Sequence, residues 1–313
     1  MRITRRRAGS ISRAARPMSG FVPVSERIRR LLASACLAGA VFFCAAQPAQ
    51  AQAANQPPQR VVSINLCTDQ LAMLLAGEDQ LISVSRIALD PRVSPMAEEA
   101  GQYAINAGRA EEVHVMQPDL VVAGTYTSRD TIAMLRRLGI EVVQFDIVHS
   151  LDDVRARILE MGAALGREAA AQEMVARFDT DLAALRSAAP DKGAMPRAAL
   201  YYANGYTSGA KSLATDILTA AGLRNAPAEA GYDWGKLPLE VLALIDPDLV
   251  ITARRYPGGS RAEEVMDHPV VGDLRGQAGR AALTDQDWVC GTPYVLRAIG
   301  DMARARRTFE AGG

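Results

Sequence analysis

Short apolar runs alternate with amphipathic stretches along the first half of the chain. The β-branched run RVVSIN at Arg60 predicts a buried strand, and LCTDQLAMLLAG after it has helical spacing that ends at Gly77. QLISVS at Gln80, DLVVAG after Pro118 and IEVVQFD after Gly139 predict three more strands, and SRDTIAMLRRLG predicts a helix before the last of them. Strands and helices in this order pair in parallel through right-handed crossovers.

The second half of the chain repeats this pattern. RAALYYA at Arg197 predicts a strand, SLATDILTAAGL at Ser212 and PLEVLALI predict helices, DLVITA predicts a strand, and RAALTD at Arg280 predicts a last strand before a C-terminal helix. Each half is therefore expected to be an α/β lobe, with the N-terminal lobe over residues 58–166 and the C-terminal lobe over residues 195–313.

A long helical tract separates the two halves. Ser150 and Asp153 have the spacing of a capping box, and an apolar stripe follows them as far as Gly166. A second helix is predicted over residues 168–188. It is either an ordinary surface helix of one domain or a rigid connector over residues 167–190, and its position between two matched halves favours the connector.

One segment of the chain occurs twice. EEVHVMQPDLVVAG ends at Gly124 and EVLALIDPDLVITA ends at Ala253, and in each a glutamate, Glu111 or Glu240, stands seven residues before Pro-Asp-Leu-Val. A helix that runs into a Pro-Asp turn and a strand explains the proline, which restricts the residue before it to extended geometry. The glutamate is not needed for this. It is either a partner for the helix dipole or one half of a paired acidic docking surface.

The N-terminal segment has the composition of a secretory signal. Residues 1–30 carry nine arginines and one glutamate, an uncharged apolar run follows over residues 31–46, and Ala-Gln-Ala then occurs twice. The apolar run is short for a membrane span of about 20 residues. Residues 1–53 are therefore expected to be a signal peptide that is cleaved near Ala51 or Ala53, with Met18 as an alternative start, which predicts a soluble periplasmic protein.

Removal of this segment changes the net charge. The full chain has 35 basic and 35 acidic residues, whereas the mature part keeps 26 basic and 34 acidic residues, a net charge of about −8. No basic surface remains that would favour nucleic acid or an anionic membrane. The roughly 260 residues that remain are enough for two lobes of ordinary domain size.

The motifs together resemble those of one family. RVVSINLCTDQLAMLLAGEDQLISVS, the two Pro-Asp-Leu-Val segments and GLRNAPAEAGYDWGKLPLEVLALIDPDLVI are similar to the periplasmic substrate-binding proteins of ABC importers for cobalamin and ferric siderophores. The resemblance covers residues 60–305. It implies the class III architecture, in which two Rossmann-like lobes are joined by a single long backbone helix and the ligand lies in the cleft between them.

The resemblance also implies partners. In that family one glutamate of each lobe pairs with arginines of the membrane permease, and by position in the motif these are Glu111 and Glu240. We expect a monomer without an intrinsic cofactor, which captures a metal chelate, cobalamin or a ferric siderophore, and delivers it to an ABC permease.

Loops at the carboxyl ends of the predicted strands supply the candidate ligand contacts, because open α/β sheets bind ligands there. Trp234 stands six residues before Glu240, where cobalamin-binding members of the family resemble it with an aromatic contact, and Arg254 suits a carboxylate of a ferric chelate. The alternative for the aromatic residues is packing over the lobe core. The candidates are Asn65, Cys67, Thr68, Asp69, Tyr126, Tyr206, Trp234, Arg254, Tyr256, Trp288 and Cys290.

The mature part keeps two cysteines, Cys67 and Cys290, both on loops expected to face the cleft. They either form an inter-lobe disulfide, as an oxidising compartment allows, or remain free thiols near a metal-containing ligand. The disulfide requires Cα atoms within about 7 Å of each other, a distance that the sequence does not determine.

Two other classes of protein fit the sequence less well. A receptor for a free metal ion such as zinc or manganese needs a cluster of histidines and carboxylates, but only His114, His149 and His268 occur. A secreted α/β enzyme that uses Cys67 is the other class, and no Gly-x-Gly-x-x-Gly and no Walker loop occur in the chain. We therefore expect no catalytic residues, and the ligand stays open between a corrinoid, a ferric siderophore and haem.

Overall fold

A computed structural model describes residues 56–255, 258–276, 282–283 and 285–312 of the chain. The expected signal peptide, with its cleavage near Ala51 or Ala53, lies outside these residues, and so does Tyr256. Within the described part the predicted fold class is confirmed, with two α/β lobes that are each built on a parallel sheet.

The first lobe contains a five-stranded sheet. Its strands are β1 (Val61–Ser63), β2 (Leu81–Ser85), β3 (Ala104–Asn106), β4 (Leu120–Gly124) and β5 (Glu141–Phe145). They are all parallel and lie in the order β3-β2-β1-β4-β5. The chain order therefore reverses between β1 and β4, which is where open α/β sheets leave a crevice at the carboxyl ends of their strands.

The second lobe contains a four-stranded parallel sheet and a separate antiparallel ribbon. The sheet strands are β6 (Arg197–Tyr201), β8 (Arg224–Asn225), β10 (Leu249–Ala253) and β11 (Ala282–Leu283), and the ribbon strands are β7 (Tyr206–Ser208) and β9 (Trp234–Lys236). The sheet order is β11-β10-β6-β8. The ribbon places the segment around Trp234 beside the segment around Tyr206.

Helices connect the strands and cover both faces of each sheet. The helices are α1 (Leu66–Leu75), α2 (Ala97–Ala100), α3 (Ala110–Val115), α4 (Arg129–Arg137), α5 (Leu151–Leu165), α6 (Glu168–Ser187), α7 (Leu213–Ala220), α8 (Ala226–Glu229), α9 (Leu239–Ile245), α10 (Pro269–Gly276), α11 (Asp285–Trp288) and α12 (Val295–Gly312). Short 3-10 turns occur at Arg86–Leu89, Lys192–Ala194, Ala203–Gly205 and Glu264–Asp267. None of the helices in the described ranges combines the length and the apolar character needed to cross a membrane.

Each sheet buries one face in an apolar core that both lobes share. Along β4, Leu120 and Val122 belong to this shared core, whereas Val121 and Ala123 belong to a second cluster under α3 and α4. β10 of the second lobe divides its side chains in the same way between the shared core and a cluster under α9 and α10. The two lobes are thus joined by one continuous apolar interior, to which α5, α6, α7 and α12 contribute.

Two helices, α5 and α6, connect the lobes. α5 begins with the predicted capping box of Ser150 and Asp153, and it ends at Gly166, whose φ is 65°. The first backbone N–H of α5 donates a hydrogen bond of 2.9 Å to Asp216 on α7, in the second lobe. α6 packs against α5, α7 and α12. Because α5 also contacts both lobes, the restriction of the connector to residues 167–190 stays a prediction.

The two copies of the repeated segment have the same local structure. Over residues 111–120 and 240–249 the exposed and buried positions follow in the same order. The residue before the proline has a left-handed conformation in both, with φ of 50° at Gln117 and 46° at Asp246. The expectation of extended geometry there is wrong, because this residue ends a helix, and a left-handed residue is a common way to end one.

An aspartate and an arginine fix each copy of the turn. Asp119 accepts hydrogen bonds from the backbone N–H groups of Gln59 and Arg60 before β1, and Asp248 accepts one from the N–H of Arg197 at the start of β6. Arg60 donates to the carbonyl oxygens that follow α3, and Arg197 donates to those at the end of α9. These bonds account for the aspartate of the repeat, and the glutamate takes no part in them.

Candidate functional site

A wide groove of about 740 Å³ lies at the carboxyl ends of β1, β2 and β3. Its wall includes the apolar side chains of Ile87 and Leu89, which are 50% and 39% exposed, and Arg86 adds a positive charge. Asp90 lies at the same wall, and hydrogen bonds from Arg92 lower its pKa to about 2. The groove therefore offers apolar surface together with ionised groups of both signs.

A buried carboxyl group holds the strand end that forms this wall. Asp69 is fully buried and accepts hydrogen bonds from the backbone N–H of Ser85, at 3.0 Å, and from the Ser85 hydroxyl. Burial raises the pKa of Asp69 to about 6, and hydrogen bonds from Ser63 and Ser85 oppose that increase. Asp69 was a candidate ligand contact, but it lines neither this groove nor the smaller pocket beside it. Instead it holds the end of β2 from inside the lobe.

A smaller pocket of about 180 Å³ lies where the strand order reverses between β1 and β4. It collects side chains that are far apart in the sequence, from the start of α1, the end of β4 and the segment after α11. Five of the sequence candidates line it: Asn65, Cys67, Thr68, Tyr126 and Trp288. Asn65 also lines the groove, so the two spaces adjoin.

The two cysteines form a disulfide, which was one of the two alternatives. Cys67 and Cys290 are bonded with their Cα atoms 5.1 Å apart, and the free-thiol alternative is wrong. The segment after Cys290 is held on the first lobe by a buried hydrogen bond of 3.2 Å from Thr292 to Gln70. A Cβ atom at Gly291 would lie 2.3 Å from a side chain that follows β5, so glycine is required there. Cys67 and Gly291 both line the pocket, so the disulfide lies beside its wall.

The second lobe presents an aromatic pair on its ribbon. The rings of Tyr206 and Trp234 lie 5.4 Å apart at 47°, and Trp234 is 74% exposed. Gly209 permits the close approach of the chain that carries Trp234, because a Cβ there would lie 1.7 Å from the carbonyl oxygen of Tyr232. This pair lines neither pocket and offers a free aromatic surface of the kind that stacks on a flat ligand.

Two candidates after β10 have different outcomes. Arg254 is exposed and lines neither the groove nor the smaller pocket. Tyr256 lies outside the described residues.

Trp288, at the end of α11, has two kinds of contact. It lines the smaller pocket and also packs against the shared core.

Sequence reasoning missed the 3-10 turn after β2. Arg86, Ile87 and Leu89 line the larger groove, and none of them was a candidate. The rule that selected the loops after β1 and β4 applies equally to β2, whose strand was predicted, so the signal was present. Arg157 was missed as well. It reaches the smaller pocket from α5, and nothing in the helical pattern of α5 separates it from a surface arginine.

Glu111 and Glu240 occupy equivalent positions. Each is the second residue of its helix, α3 or α9, and each is exposed. Neither forms an ion pair with any residue that the structure describes. Their carboxylates are thus available to a partner on the outer side of each lobe.

Over the described ranges, no group of three or more His, Cys, Asp and Glu side chains is arranged to hold a metal ion.

Residues 61–281 of the chain match a protein family described as periplasmic binding protein. A cobalamin-binding protein of Halobacterium salinarum is 30% identical over 206 residues, which are 63% of this chain and 54% of that protein. The chain therefore spans about half the length of this relative.

Solved structures share the fold. The periplasmic heme-binding protein RhuT from Roseiflexus sp. RS-1, in its apo form, gives a TM-score of 0.66 at 22% identity, over 82% of this chain and 99% of that chain. The periplasmic vitamin B12-binding protein BtuF of Vibrio cholerae gives a TM-score of 0.59 at 18% identity, over 81% of this chain and 98% of that chain. At these identities the similarity concerns the fold.

Proposed function

Because the chain belongs to the periplasmic binding protein family, we propose that it is the substrate-binding component of an ABC importer. It captures a metal chelate, a corrinoid or a ferric siderophore, and delivers it to a permease in the inner membrane. It works in the periplasm as a monomer after removal of its signal peptide. Its work is binding and docking, without a catalytic step.

The groove at the carboxyl ends of β1, β2 and β3 carries this proposal. Its volume of about 740 Å³ falls in the range of roughly 300–1,000 Å³ that is common for small-molecule sites. The adjoining pocket of about 180 Å³ is too small for a whole chelate and suits one of its substituents. A ligand seated across both spaces contacts the first lobe at the point where its sheet reverses order.

The proposed contacts come from both lobes. The first lobe contributes Ile87 and Leu89 in the groove, with Arg86 for a carboxylate of the ligand. The pocket contributes Asn65, Cys67, Thr68, Tyr126, Trp288 and the backbone next to Cys290. The second lobe contributes Tyr206, Trp234 and Arg254, with Tyr256 kept from the sequence analysis.

Haem is the second candidate ligand. Arg86 stands directly beside Ile87 and Leu89, and this combination suits a flat apolar ring that carries carboxylates. A corrinoid with neutral side groups gains less from the arginine.

Titration with chelates is expected to give saturable quenching of tryptophan fluorescence. The chain has only two tryptophans, and Trp234 is largely exposed while Trp288 lines the smaller pocket. Purified mature protein should respond at micromolar or lower concentration to one of cobalamin, cobinamide, haem or a panel of ferric siderophores. Trp234→Phe and Trp288→Phe then report which tryptophan senses the ligand. N-acetyltryptophanamide corrects for light absorbed by the chelate, and no saturable response to any of them would contradict the proposal.

We further propose that Glu111 and Glu240 dock the loaded protein on arginines of the permease. Glu111→Arg or Glu240→Arg should abolish uptake of the chelate by cells, because each variant places two like charges opposite each other at the interface. Affinity for the chelate should not change, since both residues lie outside the groove and the pocket. Uptake of labelled chelate and the titration above measure the two quantities separately.

Glu141→Arg is the matched control for docking. Glu141 is an exposed glutamate at the start of the edge strand β5, and this strand pairs with Leu120 at the strand end of the first repeated segment rather than with the helix that carries Glu111. Its reversal should leave uptake unchanged. Weaker binding of the chelate to purified Glu111→Arg or Glu240→Arg protein would contradict the docking role.

A further inference from the structure

The two most exposed large aliphatic side chains of the described residues occupy equivalent positions in the repeat. Val115 is 80% exposed and Leu244 is 83% exposed, whereas the next aliphatic side chain, Val289, is 51% exposed. Each stands four residues after the glutamate of its copy, Glu111 or Glu240. Single exposed apolar residues are common on protein surfaces, but this pair coincides at one position of a duplicated segment.

Each aliphatic side chain shares a helix face with its glutamate. Residues four apart in a helix lie one above the other on the same side. Glu111 and Val115 are therefore neighbours on α3, and Glu240 and Leu244 are neighbours on α9. The side of each helix that faces its own sheet is occupied by other residues, among them the fully buried Val113 and Leu242.

The hydrogen-bonded frame that carries each pair is the same in both lobes. The arginine and aspartate bonds described above tie the end of each helix to the neighbouring strand, at Arg60 and Asp119 in one lobe and at Arg197 and Asp248 in the other. Nothing in this frame uses the glutamate or the aliphatic residue. The fold thus presents one carboxylate and one apolar side chain twice, in the same local geometry.

Resting on the proposed function, we propose that Val115 and Leu244 are part of the docking surface for the permease. Two equal footprints fit a partner made of two equal copies, as in a two-fold symmetric membrane permease. Each copy would present a basic side chain to the glutamate and an apolar socket to the valine or leucine. The charges set orientation and the encounter rate, and burial of the aliphatic side chains slows dissociation.

Binding to membranes of the source organism tests this inference. Fluorescently labelled mature protein is added to spheroplasts of a strain from which the gene for this protein has been deleted. Val115→Ser with Leu244→Ser should weaken saturable binding at least tenfold, because both changes remove buried apolar area from the complex. The loss should persist at high salt, which weakens the glutamate contacts.

Leu159→Ser is the matched control. Leu159 is a partly exposed aliphatic residue, 42% exposed, on α5, and its replacement should leave binding within twofold. Thermal unfolding of every variant shows whether the fold is retained. Photo-crosslinking with p-benzoylphenylalanine at positions 115, 244 and 159 identifies the bound protein in intact cells, and we expect the same polytopic permease subunit at 115 and 244 only.

The outcomes separate the inference from the proposed function. Unchanged binding of the double serine variant, with loss of binding in Glu111→Arg, overturns the role of the aliphatic residues and leaves docking by the glutamates intact. Unchanged binding in all of these variants overturns both. Crosslinks to a second copy of this chain overturn the inference in favour of self-association.

Discussion

Replacing both Cys67 and Cys290 with alanine is expected to lower the free energy of unfolding by about 3–5 kcal/mol. The bridge joins residues that are 223 positions apart. A cross-link across so long a loop removes much of the conformational entropy of the unfolded chain, and its loss restores that entropy. For a chain of this size the midpoint of thermal unfolding should fall on the order of 10 °C.

Denaturant unfolding of the variant and of wild-type protein, with and without reductant, measures this effect. Reduced wild-type protein should behave like the double alanine variant. Thr292→Val is the comparison, because it removes the neighbouring hydrogen bond to Gln70 but keeps the disulfide, and it should cost only about 1–2 kcal/mol. A double variant within 1 kcal/mol of the wild type would contradict the stabilising role of the disulfide.

Asp69 is expected to make the protein less stable as the pH rises from 4 to 7. Burial raises its pKa from the ordinary value of 3.8 to about 6. Between these values the folded state binds more protons than the unfolded state, so the free energy of unfolding falls as the pH rises through this window. At pH 7 the ionised carboxylate costs about 3 kcal/mol relative to the protonated form.

Asp69→Asn isolates this contribution. The amide cannot ionise, yet its oxygen can still accept the hydrogen bond from the N–H of Ser85. Relative to wild-type protein, the variant should therefore gain about 2–2.5 kcal/mol in unfolding free energy between pH 4 and pH 7, because the carboxyl group of the unfolded chain is already partly ionised at pH 4. Urea unfolding at pH 4, 5.5 and 7 measures the difference, to which all other titrating groups contribute equally.

Asp153→Asn provides a control of opposite sign. A hydrogen bond from the backbone N–H of His149 is the main cause that lowers the pKa of Asp153. The stability from this carboxylate is therefore present at neutral pH and is lost as the pH falls through the lowered pKa.

The prediction for Asp69 is contradicted if the unfolding free energies of wild-type protein and of Asp69→Asn depend on pH in the same way. That result would show that Asp69 does not titrate in this range.

The central strands and the repeat could be predicted from the sequence because their signals are local. β1, β2, β4, β5, β6 and β10 are β-branched or apolar runs with clear limits, and all of them except the edge strand β5 lie in the interior of their sheets. β3 (Ala104–Asn106) was missed. It has three residues, of which only Asn106 is buried, so its pairing with β2 rather than its composition makes it a strand.

The candidate site was predicted in part. The rule that ligands bind at the loops after parallel strands selected Asn65, Cys67 and Thr68, which line the pocket. It also selected Asp69, which does not line the pocket, because the expected loop is the first turn of α1. Asn65 caps that helix by accepting a hydrogen bond from the N–H of Cys67. The helix therefore begins directly after β1, and Asp69 lies inside the lobe, where its carboxylate accepts a hydrogen bond from the backbone N–H of Ser85.

The aromatic pair and the disulfide depend on contacts that no local pattern contains. Trp234 reaches Tyr206 only because β9 pairs with β7 across a long stretch of chain. The disulfide distance depends on how the segment after α11 returns to the first lobe. The residue types indicated that these aromatic residues and cysteines could have a role. The tertiary fold decides which residue each of them contacts.

The core shared by the two lobes bears on the timing of synthesis and export. Val295, Ile299 and Met302 of the last helix, α12, belong to the same apolar cluster as Val61 and Leu120 of the first sheet. That cluster is incomplete until the end of the chain has left the ribosome. Under the export that we propose for this protein, the incomplete core would delay folding before the chain has crossed the inner membrane. A disulfide forms in an oxidising compartment, so the bond between Cys67 and Cys290 would then complete the fold in the proposed location.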